Sequence, residues 1–335
     1  MNKLAKIGMT IAMSMILLSS CNDNNKLSPY DEILEKQPFS PLTDSINKDP
    51  QKDELWFRRA VLLNKNNFPE PALADFRKAW SLKKDERYAF GVSTILTDKK
   101  PDSAIAFLED ALKELPGSFL LQLSLARSYD AKGLIHDALK ICDEILEKNP
   151  EQVDVLKMKA DLLDKSDDPA AAISLLEKAY TITPFDVDLN YSLAFKYAEN
   201  KNVKVVALCD SLIRVDSINL HAEPYYYKGI YYSNINDKAK AIAMFDLAIQ
   251  RNYQYLNAYI EKASVLYEQK KYSEALKTAV LANTISPKFP DAWYWMGRCQ
   301  EAMGDKDEAK LNYQRALGLD PDFTDAQEAL QKIIN

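Results

Sequence analysis

Prolines 116, 150 and 184 stand 34 residues apart, and Pro287 and Pro321 repeat the interval. A fixed period of this length marks a chain of stacked repeats, in which each unit buries its apolar face only against its neighbours. The chemistry between the prolines recurs as well. Ala60, Ala126, Ala160, Ala194, Gly229, Ala263 and Gly297 fill one small place, ten residues past the preceding period mark where a proline is kept. Ala72, Ala104, Ala138, Ala172, Ala241, Ala275 and Ala309 fill a second, with Val205 the departure among eight units. If alanine is roughly one residue in ten, seven in eight places arise by chance on the order of once in a million, so the register is a property of the chain. Small residues at such places let two antiparallel helices approach to roughly 8–10 Å, while bulky ones fill the gaps between them. Phe76, Leu108, Leu176, Phe245 and Tyr313 are placed to do so. The proline stops each second helix, because the residue before it is pushed out of the α region.

The last full unit carries Trp293, Met296-Gly297, Gly304, Ala309, Tyr313, Ala316 and Pro321, and it resembles the tetratricopeptide repeat nearly place for place. The resemblance covers about residues 53–335. It implies an all-α fold, a right-handed superhelical solenoid of antiparallel helix pairs, whose work is protein binding and not catalysis. Eight pairs are expected over 53–323, ending near Lys84, Pro116, Pro150, Pro184, Ser217, Tyr253, Pro287 and Pro321, with a C-terminal capping helix in 324–335. The second pair is the least regular: it ends two residues early, and Gly91 is a candidate for its small residue. Composition agrees, since 47% hydrophobic and 27% charged residues with only 8 glycines suit ordered helices better than a disordered chain.

The N-terminus reads as an address. Lys3 and Lys6 precede an apolar run over residues 7–18, too short for the ~20 residues of a membrane-spanning helix. The run ends in Leu18-Ser19-Ser20-Cys21, which resembles the bacterial lipobox. That resemblance implies a signal peptide over 1–20, cleavage before Cys21, and lipidation of its thiol and new amine. Two or more acyl chains, at ~0.8 kcal/mol per buried CH₂, hold a protein stably to a membrane where one does so marginally. The chain is thus expected in the bacterial cell envelope, tethered by its N-terminal lipid; Asn22 in place of an acidic residue favours the outer membrane. Residues 21–52, polar and broken by Pro29, Pro38 and Pro41, read as a stalk. A short helix over 30–36 and an unpaired cap helix over 42–50 are compatible with the same stretch.

Chemistry for catalysis is not evident. The formal charge of −6 becomes −8 once Lys3 and Lys6 are removed, and no dense basic stretch offsets it, so nucleic acid is an unsuitable partner. His136 and His221 fall in different repeats, and Asp143 and Glu144 are helix neighbours that do not face each other. No phosphate loop, nucleophile elbow or Cys-x-x-Cys occurs. No cofactor, metal or small-molecule substrate is expected. An enzymatic reading would need an added domain for which the period leaves no room. Cys142 and Cys209 occupy equivalent buried places and, like Cys299, read as packed thiols.

What remains is the concave face, lined in this fold by the first helices at places three before, and one and four after, the small residue. From the fifth pair on, these places hold Tyr191, Phe195, Tyr226, Ile230, Ile260, Tyr267, Tyr294 and Arg298, with Ser233 and Ser264. Earlier they are more polar: Arg127, Asp130, Lys157, Asp161 and Asp164, with Phe57 an exception. Packing places are already taken by Leu193, Tyr197, Tyr232, Leu266, Trp293 and Met296, so the groove tyrosines are expected to be surplus to the core and exposed. Such a stripe suits a protein partner that offers apolar side chains on an amphipathic helix or an extended segment. The Lys/Asn clamp of the family's chaperone-binding members is absent, its places being Phe57 and Val61. The function expected is a membrane-tethered scaffold or adaptor. The alternative is a structural assembly or pilot factor for an outer-membrane machine.

Overall fold

The computed structural model describes residues 30–216 and 221–334, and these residues form helices with no strand among them. Cys21 and the whole of the expected signal peptide lie outside the described residues. Two N-terminal helices, α1 (Asp31–Leu34) and α2 (Ser40–Lys48), precede the repeats. Four pairs follow: α3 (Asp53–Lys65) with α4 (Pro69–Leu82), α5 (Glu86–Lys99) with α6 (Pro101–Glu114), α7 (Phe119–Ala131) with α8 (Ile135–Lys148), and α9 (Val153–Lys165) with α10 (Pro169–Ile182). Four more complete the series: α11 (Val187–Glu199) with α12 (Lys204–Val215), α13 (Glu223–Asn234) with α14 (Lys238–Arg251), α15 (Leu256–Glu268) with α16 (Tyr272–Ile285), and α17 (Pro290–Ala302) with α18 (Lys306–Leu319). The last helix, α19 (Thr324–Ile334), closes the stack on Tyr294, Tyr313 and Ala316 through Ala326 and Ala329. The architecture is the all-α solenoid of helix pairs that the period calls for.

The small places are where helices touch. All seven first-helix places and all eight second-helix places are buried. At three positions even alanine would not fit. A Cβ on Gly229 would stand 2.4 Å from the Phe245 ring, one on Gly297 would stand 2.6 Å from Tyr313, and one on Gly91 would stand 2.5 Å from Phe76. Where the first-helix residue is alanine, the residue sixteen further on is mostly smaller: Cys142 opposite Ala126, Leu176 opposite Ala160, Ala279 opposite Ala263. Ring and glycine are therefore matched in volume within a pair. Phe76 breaks the pattern, because sixteen residues before it stands Ala60; its ring lies against Gly91 of the next pair instead. Gly91 is the seat of a neighbour's ring, which is why it falls outside the register of the other small residues.

Turns within pairs are set by single residues. Asn67, Gly133, Asp167, Lys201, Asn236, Lys270 and Gly304 adopt φ between 55° and 90°, one in each pair but the second. Asn and Asp tolerate this region, and Gly is free in it, while a lysine held there is strained by ~1–2 kcal/mol. In the second pair α5 runs to Lys99, and Pro101 opens α6 with only Lys100 between. The missing turn residue accounts for the two residues by which that repeat is short.

Between pairs a second tie recurs. The indoles of Trp56 and Trp293 donate to the carbonyls of Pro50 and Pro287, both at 2.9 Å, and the Asn190 amide and Tyr259 hydroxyl donate to Pro184 and Tyr253 at 3.0 and 3.1 Å. Each donor lies six residues past its acceptor, so the start of a first helix is fastened to the end of the preceding second helix.

The N-terminal cap is built differently from a stalk. Residues 40–48 form α2, packed on α3, with Ile46 and the preceding Phe39 buried and Ile33 and Leu34 of α1 against the same core, so the short helix and the cap helix compatible with this stretch are both present within it. Beneath it Arg59 donates to both oxygens of Asp75 at 2.7 and 2.9 Å and to the Thr43 hydroxyl at 3.0 Å. Both charges are buried. Burial pushes the Asp75 carboxyl up while the Arg59 guanidinium opposes it, and removing either partner would leave a buried charge at a cost of ~3–5 kcal/mol.

Candidate protein-binding groove

The aromatic stripe proves to be largely interlocked. Tyr191 packs against Tyr227 at 6.2 Å between ring centroids, and Phe195 meets the same ring at 5.8 Å. Tyr226 stands 5.2 Å from Tyr255, 5.8 Å from Tyr227 and 6.0 Å from Phe245. Burial pushes the Tyr191 hydroxyl up to about 12 and raises those of Tyr226, Tyr227 and Tyr255 as well. Ile230 is half-buried against the Tyr226 cluster, and Ile260 is buried. Tyr294, at 7% exposure, is enclosed by Tyr313, Trp295 and Phe323. The expectation that these groove side chains stand exposed is corrected for Ile260 and Tyr294, which are buried, and weakened for Tyr226, although Tyr294 still lines a cleft. The rings that the sequence reading missed are Tyr227, Tyr255 and Trp295, which occupy places between the groove and the neighbouring pair and fill the room the stripe would otherwise leave open.

Open space along the first helices includes three larger clefts, one of which residues of the stripe itself line. One of about 400 Å³ is lined by Phe57, Val61, Phe76, Phe90 and Leu120, with Arg87 at its side. A central one of about 600 Å³ is charged, bounded by Arg127, Asp130, Lys157, Asp161, Asp164 and Lys196. The third, about 510 Å³, is formed by Tyr267, Tyr294 and Arg298 facing Asp325 and Glu328 of α19. Places three before, and one and four after, the small residue contribute to all three: Phe57, Val61 and Asn64 line the first, Arg127, Asp130, Lys157, Asp161 and Asp164 the central one, and Tyr267, Tyr294 and Arg298 the third.

Charges in the central cleft bridge successive pairs. Lys165 reaches Asp130 at 2.6 Å and Lys196 reaches Asp164 at 2.7 Å. Asp161 stands among these cations with no ion pair at bonding distance among the described residues. Such pairs, being partly exposed, contribute little stability, ~0–1 kcal/mol each, and their effect is to hold the charged side chains in fixed positions along the trough.

His136 and His221 are exposed and far apart in sequence, and His221 lies 3.2 Å from Asp216. Among the described residues no group of His, Cys, Asp and Glu is arranged to hold a metal, and no helix is long and apolar enough to cross a membrane. Cys142, Cys209 and Cys299 are buried free thiols; burial raises that of Cys142 to about 11 and those of Cys209 and Cys299 to about 12.

Tetratricopeptide repeat family models match residues 96–162 and 290–323. The heat shock protein STI1 of Saccharomyces cerevisiae is 31% identical over 117 residues, 35% of this chain and 20% of that protein. Tetratricopeptide repeat protein 1 of Schizosaccharomyces pombe is 26% identical over 208 residues, 56% of this chain and 20% of that protein. The chain spans about a fifth of the length of these curated relatives. A crystal structure of a tetratricopeptide repeat protein from Parabacteroides merdae aligns with a TM-score of 0.60 at 17% identity, covering 74% of this chain and 98% of that one. At that identity the likeness is one of fold. Tetratricopeptide repeats generally mediate protein–protein contacts.

Proposed function

We propose that this chain is a scaffold of the bacterial cell envelope, tethered by lipid on Cys21, which holds a segment of a partner protein along the inner face of its solenoid. The observation that carries this reading is the series of three clefts of about 400, 600 and 510 Å³ on the first helices, left open by the chain's own side chains. Their lining changes along the stack from apolar to charged to a mixture of aromatic side chains with both signs of charge. A partner helix or extended segment of matching pattern gains apolar burial at one end and fixed register from charges at the middle, which is how peptide grooves combine affinity and specificity. Tethering rests on the lipobox-like Leu18-Ser19-Ser20-Cys21.

Photo-crosslinking side chains placed in living cells at Thr94, Met158 and Tyr267 test the groove, with Lys140, Lys178 and Lys277 on second helices as controls. Adducts of common mass from the first set and not from the second are expected. Equal labelling from both sets would remove the groove reading. Cys21→Ala tests the tether: the protein should lose its acyl chains and leave the membrane fraction, and a variant that keeps lipid would refute the anchor.

A further inference from the structure

Away from the groove, the two most exposed large apolar side chains among the described residues are Phe185, at 92%, and Val215, at 77%. Tyr253, at 65%, and Val187 are exposed as well. All four belong to connections between one pair and the next: Phe185 and Val187 lie where α10 passes to α11, Val215 ends α12, and Tyr253 lies between α14 and α15. These three connections are successive, and in a solenoid of helix pairs they follow one another along a single edge. The connections at 83–85, 115–118, 149–152 and 286–289 expose no aromatic or branched apolar side chain. Where Phe185 follows Pro184, the equivalent residues after Pro116, Pro150, Pro287 and Pro321 are Gly117, Glu151, Lys288 and Asp322. Apolar exposure on this edge is thus concentrated in the middle of the chain.

Charges along the row are arranged to suit an anionic surface. Arg214, exposed beside Val215, has no carboxylate at ion-pairing distance among the described residues. Asp186, between Phe185 and Val187, is engaged: it accepts from the Leu189 N–H at 3.0 Å and lies 3.4 Å from Lys157. Asp216 lies 3.2 Å from His221, and Asp188 is the acid left exposed. A line of side chains on an edge can meet a plane but cannot enclose a peptide. Phe and Tyr with an adjacent cation are the side chains that settle at the boundary of lipid headgroups and acyl chains. Residues 21–29 span at most about 30 Å when fully extended, so lipid on Cys21 would keep the body beside the membrane. Tethering turns even a weak surface affinity into a steady contact, because the second attachment is intramolecular.

We propose that this edge is the face the tethered body lays on the lipid surface, with Phe185, Val215 and Tyr253 entering the headgroup region and Arg214 meeting lipid phosphates. The inference rests on the lipid anchor at Cys21. It leaves the concave face free for a partner.

The test uses the full acylated chain in vesicles of phosphatidylethanolamine and phosphatidylglycerol, with a nitrobenzoxadiazole dye on one introduced cysteine at a time. Cys142, Cys209 and Cys299 are buried, and the Cys21 thiol is acylated, so only the introduced thiol is labelled. Dye on Phe185→Cys, Val215→Cys or Tyr253→Cys should shift to the blue and lose most of its emission to a nitroxide-bearing lipid. Dye on Glu151→Cys or Asp322→Cys should do neither. Adding Phe185→Ser and Tyr253→Ser should abolish the quenching at residue 215 while leaving the melting temperature unchanged, since both side chains are exposed. Equal quenching at all five sites, or none at any, would overturn the proposal. A blue shift without quenching, joined by thiol crosslinks between copies at residue 185, would assign the row to a second copy instead. If the mass of the N-terminal peptide shows no acyl chain, the tether reading falls; quenching confined to the same three sites by added vesicles would still uphold the row, and its absence would overturn it.

Discussion

Gly297→Ala adds one methyl group where none fits. The new Cβ would lie 2.6 and 2.8 Å from two atoms of the Tyr313 ring and 3.1 Å from the Ala309 carbonyl oxygen. The ring cannot easily withdraw, since Tyr313 is fully buried and its hydroxyl is held by Glu301 at 2.6 Å. Overpacking of this kind costs ~1–3 kcal/mol, while replacing a helical glycine by alanine returns about 0.8–1.0. A net loss of up to about 2 kcal/mol is expected. Tyr313→Leu, which empties part of the same space, should cost about 2 kcal/mol or more by itself. The two together should cost less than their sum, because Ala opposite Leu is the combination this chain already uses at Ala160 and Leu176. Residues in direct contact couple by about 0.5–3 kcal/mol, and the reasoning places this pair at about 1 or more. The assay is hydrogen exchange resolved by helix across wild type, both single variants and the double variant, since a solenoid loses stability mainly in the damaged unit and its neighbours. Additive losses would refute the volume matching of glycine and ring. Exchange raised evenly from α3 to α19 would refute the nearest-neighbour picture as well.

Three further expectations follow from the same structure. Lys270 holds φ at 61°, so Lys270→Gly should raise stability by about 0.5–1 kcal/mol despite glycine's unfolded-state entropy; a loss in denaturant titration would show that the lysine is not strained. The buried thiols of Cys142, Cys209 and Cys299, raised to about 11 or 12, are held in the protonated form by the fold, a preference present below the ordinary thiol range and lost as pH rises through those values. Iodoacetamide at pH 8 should therefore label them only as fast as the local unit opens, and labelling at the rate of a free thiol would contradict their burial. Tyr226→Ala should destabilise the sixth pair by about 2–4 kcal/mol, because it removes a ring packed on Phe245, Tyr227 and Tyr255; a melting temperature unchanged from wild type would restore the view of Tyr226 as a free groove ring.

The contrast between Tyr226 and Arg298 shows how far the sequence could be read. Helix pairing was legible because it depends on volume at one place per turn, and Ala, Gly and the bulky residues sixteen positions later report volume directly. The register failed at the second pair, where a two-residue deletion removed the turn residue, and where Phe76 leaves Ala60 for Gly91. The groove is a harder object. On a helix with 3.6 residues per turn, the places that face the concave side are only about one residue, or 100°, from those that face the next pair. The charged residues Arg127, Asp130, Lys157, Asp161 and Asp164 line the central cleft, because water and ion pairs satisfy a charge there that the core would leave bare. A tyrosine is long enough to lean across the boundary, and Tyr227 and Tyr255 on the neighbouring places supply rings to lean against. Whether an aromatic residue belongs to groove or core is thus decided by its neighbours one place away and one repeat away together, information that a stripe of single positions does not contain. Arg298 escapes that ambiguity because the rings of Tyr267, Tyr294 and Trp295 and two of their hydroxyls hold its guanidinium in place, at a cleft that Asp325 and Glu328 also line.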